Sequence, residues 1–265
     1  MSPIMKLRGS YGLMMVIILI AIVQMGVIVT SHLHAETLQQ SVFSYAIVVL
    51  AGYMLVKFLW RVIQQLHLSR KWFNHFQNHM HVKLTKQLQY KYRNWDTEII
   101  VVQDDAFVAL TIGLLRPKIV ISTMVLSCFS EKEIKAILLH ERYHCLKQDG
   151  RKHFFSILLA DAFGYLPIVK PIIRYYETWK ELFADRYAIQ QMGTELYLGN
   201  VLLKLAKHKS FTPCGTAVYF ANSTLQYRLM QVLEPERTVV VPLTLLKPFL
   251  RTCSMLLLIL IGGDS

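Results

Sequence analysis

Residues 140–144 read His-Glu-Arg-Tyr-His, within a stretch whose Ile134, Ile137 and Leu138 recur at helical spacing. On a helix, side chains four residues apart project from one face, so His140 and His144 can ligate the same zinc ion. Glu141 then lies beside the metal, placed as the catalytic general base toward an attacking water. The pattern predicts a metal-dependent hydrolase with Zn2+ as its cofactor. Ser130 and Glu133 have capping-box spacing and should start this helix, which is expected to end near Gly150. Cys145 would point about 100° away from His144, as a packing residue and not a ligand.

Two histidines do not complete such a site, because catalytic zinc takes three protein ligands and keeps one position open. Glu-Leu-Phe-Ala-Asp at 181–185 lies on a helix predicted over 177–190. Glu181 can supply the third ligand, and Asp185, one turn on, can orient a ligand histidine. Alone, both would read as surface charges of an amphipathic helix; the upstream motif tips the balance toward metal. Asp149 is a further carboxylate that can fix the helix or a ligand. For stabilising an oxyanion, Tyr143, Tyr187 and His153 are candidates, each better read as structural. His75 and His79 also have metal spacing, but no acid lies between them, and a solvated basic helix is the better reading.

The 265 residues are 54% hydrophobic with a mean hydropathy of +0.36, too apolar for an ordinary soluble domain. Apolar runs at about 10–31 and 42–60 are each long enough to cross a hydrocarbon core of about 30 Å. The first is too long for a signal-peptide core, lacks a small-residue cleavage site and is followed at once by the second. The loop 32–40 holds no Lys or Arg, whereas Lys6 and Arg8 precede the first span and Arg61, Arg70, Lys71, Lys83 and Lys86 follow the second. The positive-inside rule then puts the loop outside and the central region in the cytoplasm. The net charge of +12 needs no nucleic-acid partner. It fits orientation charge, or a basic surface facing anionic lipid. The four cysteines form no Cys-x-x-Cys pair and are expected to be reduced.

Between these features, 62–93 reads as a basic helix, and 98–103, 107–111 and 118–122 read as short strands. An edge strand beside the zinc helix would suit an extended peptide. Helices are expected at 196–207 and 225–233, with a loop at 210–223. The segment 154–173 is apolar, but a single crossing there would put Glu181 and His140 on opposite sides of the membrane. It should instead pack as a helix broken near Gly164–Pro167, which also suits Asp161. A third span is expected at about 245–263, with Lys247 and Arg251 snorkelling. The predicted fold is α+β and mainly helical, with a small sheet and two to three transmembrane helices. Its domains are an N-terminal transmembrane hairpin (1–61), a cytoplasmic zinc peptidase domain (62–237) and a C-terminal transmembrane segment (238–265).

Over about 95–235 the chain resembles the integral-membrane gluzincin metallopeptidases of the beta-lactam sensor-transducer type, the BlaR/MecR family. The resemblance rests on Gly-Leu-Leu-Arg-Pro-Lys-Ile at 113–119, His-Glu-Arg-Tyr-His-Cys-Leu-Lys-Gln-Asp at 140–149, Pro171 ahead of a basic helix, and Glu-Leu-Phe-Ala-Asp at 181–185. It implies zinc on His140, His144 and Glu181 with Glu141 as base. Ala184 stands where the family often has Cys. It also implies a membrane-bound zinc metalloendopeptidase in regulatory signalling and antibiotic resistance, which cleaves itself or a cytoplasmic transcriptional repressor. The chain stops at Ser265, leaving no room for a penicillin-binding domain, so direct antibiotic sensing by this chain is not expected. Two alternatives stand beside this reading: a quality-control protease for membrane proteins, and a non-catalytic zinc-stabilised scaffold, against which the intact Glu141 argues. The expected partners are a protein or peptide substrate and the lipid bilayer, with a homo-oligomer left open.

Overall fold

Ile99–Val102, Ala109–Ile112 and Lys118–Ser122 form strands β1, β2 and β3 of one sheet, in the order β1-β3-β2. This computed structural model describes residues 3–32, 38–207, 218–234 and 239–264. Cys214, much of the loop expected at 210–223 and the centre of the loop expected at 32–40 lie outside the described residues. β1 runs parallel and β2 antiparallel to the central β3. Side chains alternate between faces, so Ile99, Val101, Ile119 and Ile121 bury one face and Ile100, Val102 and Val120 the other. β2 starts at Ala109, two residues later than predicted, because the Val108 N–H bonds the Ser122 hydroxyl instead. The turn after β2 requires glycine: Gly113 has φ +97°, and a Cβ there would lie 2.6 Å from the Arg116 carbonyl oxygen.

α1 spans Pro3–His32 and α2 spans Leu38–Asn78, followed by α3 over Val82–Lys91. The helix predicted through 62–93 is therefore broken. Residues 79–81 leave it to pair with β1, through His81 N–H to Val101 O and Gln103 N–H to His79 O, each 2.8 Å. β2 is thus left as the outer strand on the other side of the sheet. A short helix α4, Thr123–Cys128, is capped by Ser122. α5, Glu131–Lys147, opens with the full capping box, the Ser130 side chain on Glu133 N–H and the Glu133 side chain on Ser130 N–H. It ends earlier than predicted: Gln148 (φ 52°), not Gly150, takes the left-handed conformation. Asp149 then begins α6, Asp149–Phe163.

The predicted break follows α6. A Cβ on Gly164 would lie 2.1 Å from the Ala160 carbonyl oxygen, so the chain can close over its own helix end only at glycine. α7 is one helix, Val169–Met192, longer than the predicted 177–190. Pro171 falls in its first turn, where a missing N–H costs no hydrogen bond. α8 is Leu196–Lys207, α9 is Val218–Leu233 and α10 is Leu246–Asp264. α9 thus includes residues predicted as loop.

The chain divides into two compact units. One holds 1–65, 155–176 and 242–265. Its core joins Met14, Ile17, Ile18 and Ala21 of α1, an i, i+3, i+4, i+7 stripe, to Leu166, Ile168, Val169 and Ile172. Inside it Gln24 Nε2 donates to Leu256 O at 2.7 Å, Tyr11 bonds Ser156, and Arg61 pairs with Asp161 at 3.0 Å. The outward residues are apolar too, among them Val16, Leu19, Val23, Val49, Val56 and Leu59. Among the described residues one helix, Pro3–Val27, is long and apolar enough to cross a membrane. The other unit holds 66–154 and 177–241, including the sheet and α5. There Ile134, Ile137 and Leu138 pack on the sheet while Ala136 and Leu139 meet Leu198, Leu202 and Val232.

The turn and the cap set the frame for α5. Gly113→Ala should cost about 1–3 kcal/mol through strain, and Ser130→Ala about 1 kcal/mol. Thermal unfolding in detergent checks both; unchanged midpoints would remove the turn and the cap from the account of α5.

Candidate metal centre

α5 places His140 and His144 one turn apart, both buried, with ring centroids 4.9 Å apart. α7 brings Glu181 against them. His140 Nε2 lies 3.2 Å from Glu181 Oε2 and 3.2 Å from His144 Nε2; His144 Nε2 lies 3.7 Å from Glu181 Oε1. These three side chains form a group able to hold a metal ion, their donor atoms all within 4.8 Å of one another. Donors at tetrahedral zinc bond lengths stand about 3.3 Å apart, so the spacing and the N, N, O donor set fit zinc. Among the described residues, His75 and His79 do not enter such a group: their rings stack at 4.4 Å, and His79 Nδ1 bonds the His75 carbonyl.

The opposite edge of each imidazole is held by a carboxylate. His140 Nδ1 bonds Asp185 Oδ1 at 2.8 Å and His144 Nδ1 bonds Asp149 Oδ2 at 3.0 Å. This fixes both rings with Nε2 turned inward. Asp149 can do this because the left-handed Gln148 turns the chain so that the first residue of α6 faces back onto α5. Burial and the Arg228 charge disfavour protonation of His140, yet its bonds to Asp185 and Glu181 prevail and raise its pKa to about 9. Burial would raise Glu181, but the charge of His144, the bond to His140 and the charges of Lys180 and Arg228 hold it well below its ordinary range.

Glu141, one residue along α5, is buried at the sheet side. The Thr111 hydroxyl of β2 lies 2.9 Å from Glu141 Oε2 and 3.0 Å from its carbonyl oxygen. Cys145 also faces Thr111, at 3.7 Å, outside the metal group. Burial pushes its thiol up to about 11, which makes it inert. Tyr187 accepts a bond from Arg142 Nη1 at 3.1 Å, and Tyr143 stacks on Tyr187 at 5.5 Å. His153 Nδ1 is engaged with Glu177 Oε1 at 2.9 Å.

Sequence reasoning missed two cations. Lys180 lies 2.6 Å from Glu177 and 3.6 Å from Glu181, and these carboxylates raise its pKa despite burial. Arg228 of α9 grips Asp185 through Nε (2.7 Å) and Nη2 (2.8 Å), with Nη1 3.5 Å from Glu181 Oε2. A signal for Arg228 existed: it shares a helical stripe with the core residues Leu225, Leu229 and Val232, an unusual place for a charge. Glu177 also precedes Glu181 by one turn, so Glu177, Glu181 and Asp185 form a ladder along one face of α7.

A family model described as BlaR1 peptidase M56 matches residues 10–232. The regulatory protein BlaR1 of Bacillus licheniformis is 28% identical over 156 residues, covering 58% of this chain and 25% of that protein. The chain therefore spans about a quarter of the length of that curated relative.

Glu177 offers a test of the charge network. Burial would raise its pKa, but His153 and Lys180 outweigh that and hold it below its ordinary 4.5. A depressed carboxylate stabilises the fold above its unfolded pKa, and the benefit is lost as pH falls through the folded value. Glu177→Gln should cost about 2 kcal/mol at neutral pH, a difference that closes on acidification below the ordinary value. Thermal unfolding against pH measures it; a difference that widens in acid would refute the pairing.

Proposed function

Since this chain belongs to the BlaR1 peptidase M56 family, we propose that it is a membrane-bound zinc metalloendopeptidase of gluzincin type. The convergence of His140 Nε2, His144 Nε2 and the Glu181 carboxylate carries the reading. On this reading His140, His144 and Glu181 hold the metal, while Asp185 and Asp149 orient the two histidines. Bound zinc would supply Lewis acidity toward the scissile carbonyl and the attacking water. Glu141 is the catalytic base: it takes the water proton and passes it to the leaving amine. Thr111 aims the Glu141 carboxylate, and it does so from β2, the outer strand of the sheet. An extended substrate pairing with that strand by backbone hydrogen bonds would be laid alongside the base.

The outward apolar surfaces of α1 and of the first part of α2 support a membrane location. From the apolar runs we divide the chain into a hairpin (1–61), a peptidase domain (62–237) and a C-terminal segment (238–265), with 155–176 grouping in one compact unit with 1–65 and 242–265. Lys and Arg flank the two N-terminal runs and avoid the loop between them, which supports a cytoplasmic peptidase domain. The regulatory role, with the chain itself or a transcriptional repressor as substrate, is the family's pattern carried to this chain; the relative's name, a regulatory protein, supports it.

The experiment compares wild type, Glu141→Gln and Asp149→Asn, purified in detergent. Wild type and Glu141→Gln should each carry about one zinc. Cleavage of the chain or of candidate repressors should fall on the order of 10²–10⁴-fold in Glu141→Gln. A zinc-free wild type, or equal cleavage by both, would sink the proposal. Asp149→Asn should weaken zinc binding on the order of 10–100-fold in competition with a chelator; wild-type affinity would strike Asp149 from the site.

A further inference from the structure

Arg228 reaches the metal centre from α9, well downstream of both motifs. Its guanidinium forks onto Asp185, Nε to Oδ2 at 2.7 Å and Nη2 to Oδ1 at 2.8 Å. The same Oδ1 receives His140 Nδ1 at 2.8 Å. Asp185 is completely buried, so no solvent competes for its oxygens. A lone carboxylate can rotate about its side-chain torsion; a two-point fork fixes the plane, and with it the direction in which Oδ1 accepts from His140. The third nitrogen, Nη1, stands 3.5 Å from Glu181 Oε2. One planar cation therefore touches the group that orients His140 and also faces the carboxylate that meets its Nε2.

We propose that Arg228 is a positioning residue of the metal centre, acting through Asp185 to fix His140 with Nε2 toward Glu181. The inference rests on the reading of His140, His144 and Glu181 as metal ligands. α9 has an independent attachment to α7: Gln231 Oε1 accepts from Arg186 Nε at 2.8 Å, and Gln231 Nε2 donates to Leu182 O at 3.0 Å. Val232 adds apolar packing in the same core. Arg228→Lys keeps the charge, loses the fork and leaves these attachments in place.

The test uses the full chain in detergent, stripped of metal and titrated with Co2+ alone, whose visible ligand-field absorption reports the geometry of its ligands. Arg228→Lys should bind Co2+ on the order of 10–100-fold more weakly than wild type, with an altered band. Asp185→Asn should do the same. The losses in the double variant should be well short of additive, because Arg228 acts mainly through that carboxylate. Gln231→Ala, which loosens α9 without touching the centre, should leave affinity and band unchanged. Wild-type affinity and band in Arg228→Lys, fully additive losses in the double variant, or an equal loss in Gln231→Ala would each overturn the proposal. A wild type that takes up no Co2+, or a His140→Ala variant that takes it up equally well, would instead remove the metal-site reading beneath it.

Discussion

Charges taken out of water must be paired, and around His140 and His144 that demand organises the local structure. Glu181 faces both imidazoles, and its charge is answered by Lys180 and Arg228. Lys180 in turn needs Glu177, which needs His153; Arg228 needs Asp185, which receives His140. Each ion is tolerated because the next one is present. The elements that supply them are α5, the start of α6, α7 and α9. None could be shifted by a residue without stranding a buried charge.

A cluster of this kind is a poor way to stabilise a fold. Well-packed apolar side chains of similar volume would often serve as well or better. What the cluster provides is direction. Both histidines expose Nε2 inward because both Nδ1 atoms are committed to aspartates, and Glu181 meets them because helical spacing sets it one turn from Asp185. On the proposed reading, histidine and carboxylate ligands bind metal only when deprotonated, so acid and metal would compete for one set of donors.

Local rules made much of this legible in the sequence. The capping box, the two-residue period of the strands and the four-residue spacings 140/144 and 181/185 act over a few residues, and the structure follows them. The break at Gly164 was legible for a different reason: two predicted ligands had to stay on one side of the membrane. What stayed hidden depends on partners distant in the chain. The departure of residues 79–81 from a helical pattern is decided by the free edge of β1. The end of α5 was misplaced because Gln148 adopts a conformation more often given to glycine. Arg228 was passed over because its partners lie 43 and 47 positions upstream. Only its position on an apolar stripe marked it.

The link between Thr111 and Glu141 bears on how such a site can be kept selective. A base held only by its own helix could reach any water near the metal. Here its carboxylate oxygen is bonded from β2, whose outer side faces no other strand of the sheet among the described residues. β2 is short, and its pairing with β3, the Gly113 turn and its contacts with α5 hold it in place. On the proposed reading, a peptide that added to β2 would lie beside the strand whose Thr111 holds the base. A chain too compact to present an extended segment could not do this. On the proposed reading, substrates would enter as extended segments held through their backbones.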